Sequence, residues 1–308
     1  MRLKISSTQK YKLILIAATV VIVILQIFKV QFGMDFIVIT LCIFALIKRE
    51  AVTFVKDWTI PVVLFYLYEG LRSRAYDLSQ YLGIKPIVEP LIWLERKVFF
   101  FLDDVPSVKL QYWLRPVLTE VHWYDYVFFF FYVMFFWYWL LTGFIIWLKD
   151  RRLFRPYMYG LVSFSIIDVL VYALFPSAPP WWASDRGYFP WISRILWTTN
   201  YLPGMGLSVV STYGRNDFAA FPSHHTAWPF YATLFLVKIF GKKAIPLFIV
   251  PFTIAFATWY GAEHYVIDSL AAVVVSLITF YIATNWGKIL QYFHGLFLKF
   301  KNYIKQDE

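Results

Sequence analysis

The sequence YDYVFFFFYVMFFWYWLLTGFIIWL, at residues 124–148, is an apolar run in which Asp125 is the single charged residue. About 20 apolar residues in a helix are enough to cross the roughly 30 Å hydrocarbon core of a bilayer. Its 25 residues therefore predict a membrane-spanning helix.

Seven further apolar segments accompany this run. The chain is 60% hydrophobic and 16% charged, whereas a soluble domain carries about 25% charged residues. We expect an all-α, polytopic membrane helix bundle of about eight transmembrane helices. Two segments, 34–47 and 58–71, are short, and the second contains Pro61. We expect each of these two either to re-enter the membrane or to extend into its flanks. The seven segments are 11–30, 34–47, 58–71, 157–175, 226–241, 244–262 and 265–286.

The basic residues are distributed unequally between the two predicted faces. The chain has a formal net charge of +10, and 18 of its 29 Lys and Arg lie in the segments that an inside N-terminus would place in the cytoplasm. This bias follows the positive-inside rule and predicts that both termini are cytoplasmic. The charge is therefore a topology signal, and we expect no nucleic-acid partner. The apolar run after the basic N-terminus lacks a small-residue cleavage site, so we expect a retained signal anchor.

The predicted topology divides the chain into three parts. Residues 1–123 hold N-terminal spans and a mixed apolar and charged segment that is typical of interfacial helices on the outer face. Residues 124–286 form the predicted catalytic core, and 287–308 a basic cytoplasmic tail. The lone Cys42 excludes an intrachain disulfide and a Cys-based zinc site.

Two histidine-containing motifs open predicted helices on the outer face: FPSHHT at 221–226 and EHYVID at 263–268. Helix N-termini favour anions such as phosphate. His264 and Asp268 are four residues apart and would share a helix face. A carboxylate there can accept Nδ1–H of the imidazole, fix its tautomer and leave Nε2 free as a nucleophile or base.

At these residues the chain resembles the type-2 phosphatidic acid phosphatase superfamily, and more closely its inositol phosphorylceramide synthase-like branch. The family motif Pro-Ser-x-His is matched at 222–225, and His-x-x-x-Asp at 264–268. The resemblance implies a phosphatidic acid phosphatase-like core at about 124–286 and a phospho-histidine intermediate. It implies four roles: nucleophile His264, orienting carboxylate Asp268, general acid His225 and phosphate ligand Ser223. We also expect phosphate binding by His224, beside these residues.

The sequence departs from the family at its cationic motifs. The Ser-Arg that normally opens the third motif is replaced by Ala257 and Thr258. Lys149 with Arg155-Pro156 approaches the first motif, but the spacing is one residue short and the predicted loop is cytoplasmic. Positively charged groups must still offset the charge of the phosphate in the transition state. We expect outer-face arginines to do so, chiefly Arg186 and Arg215, with Arg194 as a third candidate.

Substrate contacts are expected from the outer Pro-Trp segment and from one intramembrane carboxylate. Residues 176–181, PSAPPW, match the synthase-like branch, so Pro180 and Trp181 are candidates. Asp168 lies inside a predicted span, where a carboxylate is costly and usually functional. It holds a substrate group or bonds a neighbouring helix.

Three classes of function are weighed for these residues: a lipid phosphotransferase or phosphatase, a metal enzyme, and a transporter or scaffold. The first is transfer of a phosphoryl-linked head group, such as phosphoinositol, between lipids without a cofactor or metal. Its alternative is a lipid phosphate or polyprenyl diphosphate phosphatase, in which water is the acceptor. A metal enzyme would use His224, His225, His264 and Asp268 as ligands, but adjacent histidines diverge by about 100° on a helix. A transporter or scaffold would place its polar residues near the midplane.

Overall fold

The structure is a computed structural model, and it describes residues 34–195 and 216–304. The predicted all-α class is confirmed for these residues, whose only β pairing consists of isolated bridges. Two 3-10 helices lie at Phe100–Leu102 and Gly241–Phe248. The α-helices are α1 (Met34–Ile47), α2 (Ala51–Tyr81), α3 (Glu89–Val98), α4 (Pro106–Leu114), α5 (Trp123–Lys149), α6 (Arg151–Leu174), α7 (Pro180–Ser184), α8 (His224–Phe240), α9 (Ile249–Tyr260) and α10 (Val266–Ile304).

Four helices in the described ranges are long and apolar enough to cross a membrane: α2, α5, α6 and the Val266–His294 part of α10. The predicted span 11–30 and the N-terminal anchor lie outside the described residues. The predicted spans 34–47 and 226–241 form α1 and α8, of 14 and 17 residues. The predicted span 244–262 is divided between a 3-10 helix and the 12-residue α9. The number of eight spans therefore stays a prediction.

Helix α2 shows how the short segment 58–71 gains its length. The helix extends into both flanks and has 31 residues, which corresponds to about 46 Å at the α-helical rise. Pro61 lies inside it and is buried. The segment is thus one continuous helix with ample length for a span, because polar turns on either side continue the same helix.

Helix α8 occupies the centre of the bundle, where it contacts α5, α6, α9 and α10. Its Trp228 stacks on Phe135 of α5, with ring centroids 5.1 Å apart. Further along, Gly160 of α6 passes so close to the Tyr231 hydroxyl that a Cβ would collide with it. Large aromatic rings and a glycine thus bring α8 against its neighbours and fix the position of its first residues.

A layer of short helices and loops covers one end of this bundle. Ile87, Ser177 and Ala219 form two parallel bridges that join three loops, and they hold the Pro-Trp segment against the chain that leads into α8. Helices α3 and α4 form within the predicted interfacial segment, and Trp93 and Phe100 are exposed there. Their orientation relative to a membrane stays a prediction.

A buried ion pair fastens this layer to the bundle. Arg115, at the end of α4, donates to Asp125 of α5 over 2.9 Å, and both side chains are inaccessible to solvent. The Tyr260 hydroxyl, at the end of α9, bonds the same carboxylate. Gln111 of α4 donates to the Tyr260 carbonyl over 2.7 Å. These contacts hold Tyr260, the last residue of α9, in place, and the turn that follows it carries the second histidine motif.

Candidate active site

The two histidine motifs meet in space, as the sequence predicts. His225, in the first turn of α8, places Nδ1 at 3.0 Å from Nε2 of His264. The Ser223 N–H donates to the Asp268 carbonyl over 3.2 Å, and Thr226 donates to Ser269 over 2.8 Å. The start of α8 and the start of α10 are thus joined by three contacts, so the imidazoles are held at one site.

His264 belongs to the turn between α9 and α10 and not to a helix. Helix α10 begins at Val266, and Ala262 turns the chain with a left-handed φ of 62°, which L-residues adopt only when the surrounding structure enforces it. His264 Nδ1 lies 3.4 Å from Asp268 Oδ2. The predicted pairing of these two residues is present, but it spans a helix start and is longer than an ideal hydrogen bond.

Nε2 of His264, the nitrogen that we expect to be the nucleophile, faces His225 Nδ1 in this geometry. If Asp268 takes Nδ1–H, Nε2 accepts the hydrogen bond and His225 Nδ1 donates it; the tautomers are inferred from these partners. His225 Nε2 meets no hydrogen-bond partner in the described chain. His225 is partly buried as a residue, but this nitrogen is itself buried.

The first amides of α10 are not open to phosphate, contrary to the expectation that both helix N-termini bind it. The Tyr265 N–H donates to Asp268 over 2.9 Å. The Val266 and Ile267 N–H groups donate to Glu95 of α3. At α8, by contrast, Ser223 is the N-terminal flanking residue, and its buried Oγ has no partner among the described residues. Of the two helix starts, that of α8 is therefore the one with a serine hydroxyl that no described residue pairs.

His224 faces away from the His225–His264 pair. Its Nδ1 lies 2.6 Å from the Tyr68 hydroxyl of α2, and its Nε2 lies 2.7 Å from Asp168 Oδ2 of α6. Both ring nitrogens therefore have partners within the protein, and phosphate binding by His224 stays a prediction. Through this contact Asp168 bonds a neighbouring helix, one of its two predicted roles, and the network ties α2 and α6 to the start of α8. Substrate binding by Asp168 stays a prediction.

The arginines of the outer segment differ in their surroundings. Arg194 donates from Nε and Nη2 to the Glu263 carboxylate over 2.7 and 2.8 Å, and its guanidinium lies 4.0 Å from the Trp181 ring centroid. Arg186 is exposed and lies over Trp182. Arg215 is outside the described residues. Because Glu263 precedes His264, its pairing with Arg194 brings this arginine close to the histidines.

Aromatic rings enclose the His225 imidazole. Tyr132 of α5 stacks on His225 with ring centroids 4.8 Å apart, and Phe135 lies at 4.3 Å. Trp181 donates its backbone N–H to the Ala262 carbonyl over 3.0 Å, so the Pro-Trp segment packs on the turn that carries His264. Pro180, the first residue of α7, is buried there. These contacts place Trp181 and Pro180 next to the site.

Comparison with a family profile identifies the protein family of this chain. The profile of the PAP2 superfamily matches residues 99–282, more than half of the chain. The chain belongs to the PAP2 superfamily. This is the type-2 phosphatidic acid phosphatase superfamily that the two motifs predict, and the match includes both histidine motifs of the site.

Three relatives of this PAP2 protein are synthases. It is 29% identical over 183 residues to the phosphoinositol dihydroceramide synthase of Bacteroides thetaiotaomicron, covering 54% of this chain and 57% of the relative. It is 26% identical over 148 residues to the inositol phosphorylceramide synthase catalytic subunit aur1 of Schizosaccharomyces pombe, covering 42% and 34%. It is 24% identical over 152 residues to the inositol phosphorylceramide synthase of Candida albicans, covering 46% and 31%.

These matches agree with the predicted synthase-like branch, and they span between about a third and somewhat over half of each relative. No solved structure matches the chain. Within the described ranges, no three His, Cys, Asp or Glu side chains come together as a metal site.

Sequence reasoning missed three residues that the structure places around the motifs. Tyr68 contacts His224, and Arg72, one turn further along α2, pairs with Glu69 over 2.8 Å. Glu95 binds the first turn of α10. Tyr68 lies inside an apolar segment, but His224 is 156 positions away, and Glu95 is 171 positions from Val266, too far for either pair to be recognised from sequence. Arg72 and Glu69 are three positions apart on α2, so their spacing was a signal available in the sequence.

Proposed function

We propose that the protein is an integral membrane lipid phosphotransferase that acts through a covalent intermediate on His264 and moves a phosphoryl-linked head group, such as phosphoinositol, between lipids. The observation that carries the proposal is the contact between His225 Nδ1 and His264 Nε2, with Asp268 behind His264 and Ser223 beside His225. A nucleophile, its orienting carboxylate and a neighbouring acid are the parts that a two-step displacement needs.

The first step replaces one bond to phosphorus by another. The phosphate of the donor lipid enters between the two imidazoles, which separate, and His264 Nε2 attacks phosphorus. The bond from phosphorus to the diacylglycerol oxygen breaks, and His225, which enters this step protonated on both ring nitrogens, gives that oxygen a proton and becomes neutral. Asp268 stabilises the positive charge that develops on the His264 ring. The products are diacylglycerol and a head group linked to His264 through its phosphorus.

The second step reverses the proton movements. A hydroxyl of the acceptor attacks the same phosphorus while His225, now neutral, takes the hydroxyl proton. The phosphorus–nitrogen bond breaks and His264 returns to its starting state. With a ceramide-like acceptor the product is a new phospholipid; with water it is the free head-group phosphate.

The phosphate is held by groups that the α8 start and the outer segment supply. Ser223 Oγ, buried and without a described partner, is placed to bond a phosphate oxygen. Arg194, anchored by Glu263 and Trp181, supplies positive charge in place of the cations that the family motifs lack. Such preorganised charge is worth most in a site that excludes water.

Transfer is favoured over hydrolysis by two observations. The relatives carry the names of phosphoinositol and inositol phosphorylceramide synthases. The rings of Tyr132 and Phe135 cover His225, which limits the access of water to the intermediate. A lipid phosphatase with water as acceptor uses the same residues and is the second candidate.

Purified protein incubated with inositol-labelled phosphatidylinositol, with and without ceramide, distinguishes the candidates. A labelled lipid that forms only with ceramide supports transfer. Release of labelled inositol phosphate at the same rate with or without ceramide would identify a phosphatase. No reaction of any phospholipid or lipid phosphate, with the fold intact, would contradict both and favour a transporter or scaffold.

The placement of the site follows from the sequence and belongs to the same proposal. We place both termini in the cytoplasm and the histidines on the extracytoplasmic or lumenal face. The boundaries of the core at 124–286 and of the tail at 287–308 are proposed with it. Cysteine labelling of single-cysteine variants from each side of sealed vesicles would test the topology.

A further inference from the structure

Glu95 connects a helix outside the family match to the start of the helix that carries Asp268. Its Oε1 accepts from the Val266 N–H over 2.9 Å, and its Oε2 accepts from the Ile267 N–H over 3.1 Å. The side chain has no solvent-exposed surface. The family profile begins at residue 99, so this contact is made by a part of the chain that lies before the matched region.

The two bonds complete the N-terminus of α10. The first amides of a helix have no partner within the helix. Asp268 accepts from the Tyr265 N–H, and Glu95 accepts from the next two. Hydrogen bonds from amides to a carboxylate are roughly twice as strong as neutral ones, and negative charge is favoured at this end of a helix. Glu95 is therefore a strong clamp on the first turn.

This clamp bears on the distance between Asp268 and His264, which the proposed reaction depends on. Asp268 Oδ2 accepts from Tyr265 and also lies 3.4 Å from His264 Nδ1. A shift of the first turn of α10 would move this carboxylate relative to the imidazole. Misplacement of a catalytic group by about 1 Å can lower the rate by roughly 100-fold.

We propose that Glu95 is a positioning residue of the transfer reaction, which holds the first turn of α10 so that Asp268 can orient His264. This rests on the proposed function of His264. The residue does not touch the substrate; its effect passes through the backbone of Val266 and Ile267.

The charge of Glu95 provides a readout that a simple packing role would lack. Burial raises the pKa of Glu95 to about 7, the two backbone amides oppose this rise, and the negative charge of Asp268 adds to it. Tyr265 also faces it from the α10 side, and Arg96 follows it on α3. Above this pKa both oxygens accept; below it one oxygen is protonated and the clamp loses an acceptor. Glu95→Gln fixes the weakened form at every pH.

Steady-state transfer by the full-length wild type and Glu95→Gln tests the proposal between about pH 6 and pH 8. We expect kcat of Glu95→Gln to fall roughly 10- to 100-fold at the upper pH, with KM changed less than about threefold, and the difference to shrink at the lower pH. Glu89→Gln, the same change at an exposed site of α3, should match the wild type. Equal kcat at the upper pH, or the same deficit at every pH, would overturn the proposal.

Hydrogen exchange of the peptide that contains Val266 and Ile267 tests the clamp without any activity. In the wild type, protection of these amides beyond the intrinsic pH effect should increase above about pH 7. Unchanged protection would overturn the clamp even if transfer is observed. Absence of any transfer or hydrolysis by the wild type would instead overturn the proposed function, and the exchange result would still decide the role of Glu95.

Discussion

His225 Nδ1 lies 3.0 Å from His264 Nε2, although 39 positions separate the two residues in the chain. A hydrogen bond between two imidazoles needs one donor and one acceptor, and the donor ring can carry one proton or two. Asp268 beside Nδ1 of His264 favours that nitrogen as the protonated one, so His225 is the donor. The structure thus distinguishes the two rings before substrate arrives, and this distinction is the basis of the roles proposed for them.

If His225 protonates the departing oxygen, its importance depends on the leaving group. We expect His225→Ala to lower kcat about 100- to 10,000-fold with a diacylglycerol leaving group, the range for loss of a general acid. With a nitrophenyl leaving group, which departs without a proton, the loss should be much smaller. Rates of both donors with both enzymes provide the check. The same loss for the two donors would contradict the role of His225 as acid.

His224 offers the contrasting case of a histidine that stabilises the fold. His224→Ala leaves the buried Asp168 carboxylate without its partner. We expect the free energy of unfolding to fall by about 3 kcal/mol, while kcat of the folded enzyme changes less than about tenfold. Denaturation in detergent and activity of the same preparation measure both. Adding Asp168→Asn should recover part of the stability, because the unpaired charge is then removed.

The two stacked arginines of the outer segment allow a matched test of phosphate binding. Arg194 lies over Trp181 and pairs with Glu263, whereas Arg186 lies over Trp182 and is exposed. We expect Arg194→Gln to lower kcat roughly 100- to 1,000-fold and Arg186→Gln to change it little.

Loss of the ion pair itself must be separated from loss of phosphate binding. The double variant Arg194→Gln/Glu263→Gln removes both charges and should restore stability without restoring kcat. Recovery of kcat in this variant would show that Arg194 serves only the pair with Glu263. A larger loss in Arg186→Gln would restore the original prediction that Arg186 binds phosphate.

The buried pair of Arg115 and Asp125 predicts a large effect on stability. Removing one partner of a buried pair leaves an uncompensated charge, and we expect Asp125→Asn to lower the free energy of unfolding by about 3–5 kcal/mol. Asp77→Asn is a suitable control because its pair with Arg74 is exposed, so its effect should stay within about 1 kcal/mol. Comparable unfolding midpoints for the two variants would contradict the account of this contact.

Much of the site could be predicted from short motifs. The proximity of His225 to His264 and of Asp268 to His264 follows from local spacing and from two helix starts on one face. The orientation of adjacent side chains could not be predicted. His224 and His225 are neighbours in the same motif, and His224 is the one that faces Asp168, a partner that lies on another helix.

Long-range pairs account for the remaining differences. Arg194 meets Glu263 across 69 positions, and Glu95 meets Val266 across 171. No local pattern encodes such pairs, since each depends on how the outer layer packs on the bundle. Hydropathy likewise predicts apolar segments but not their helix boundaries, so segment 58–71 is part of a 31-residue helix and segment 244–262 is interrupted.

The most direct test is to trap and locate the covalent intermediate. Wild-type protein is mixed with phosphatidylinositol labelled in its phosphate, quenched in alkali, which preserves phospho-histidine, and digested for mass spectrometry. The account predicts one labelled site, at His264, which disappears in His264→Asn and loses its label when ceramide is added before the quench. Label at another residue, or turnover by His264→Asn at the wild-type rate, would contradict it.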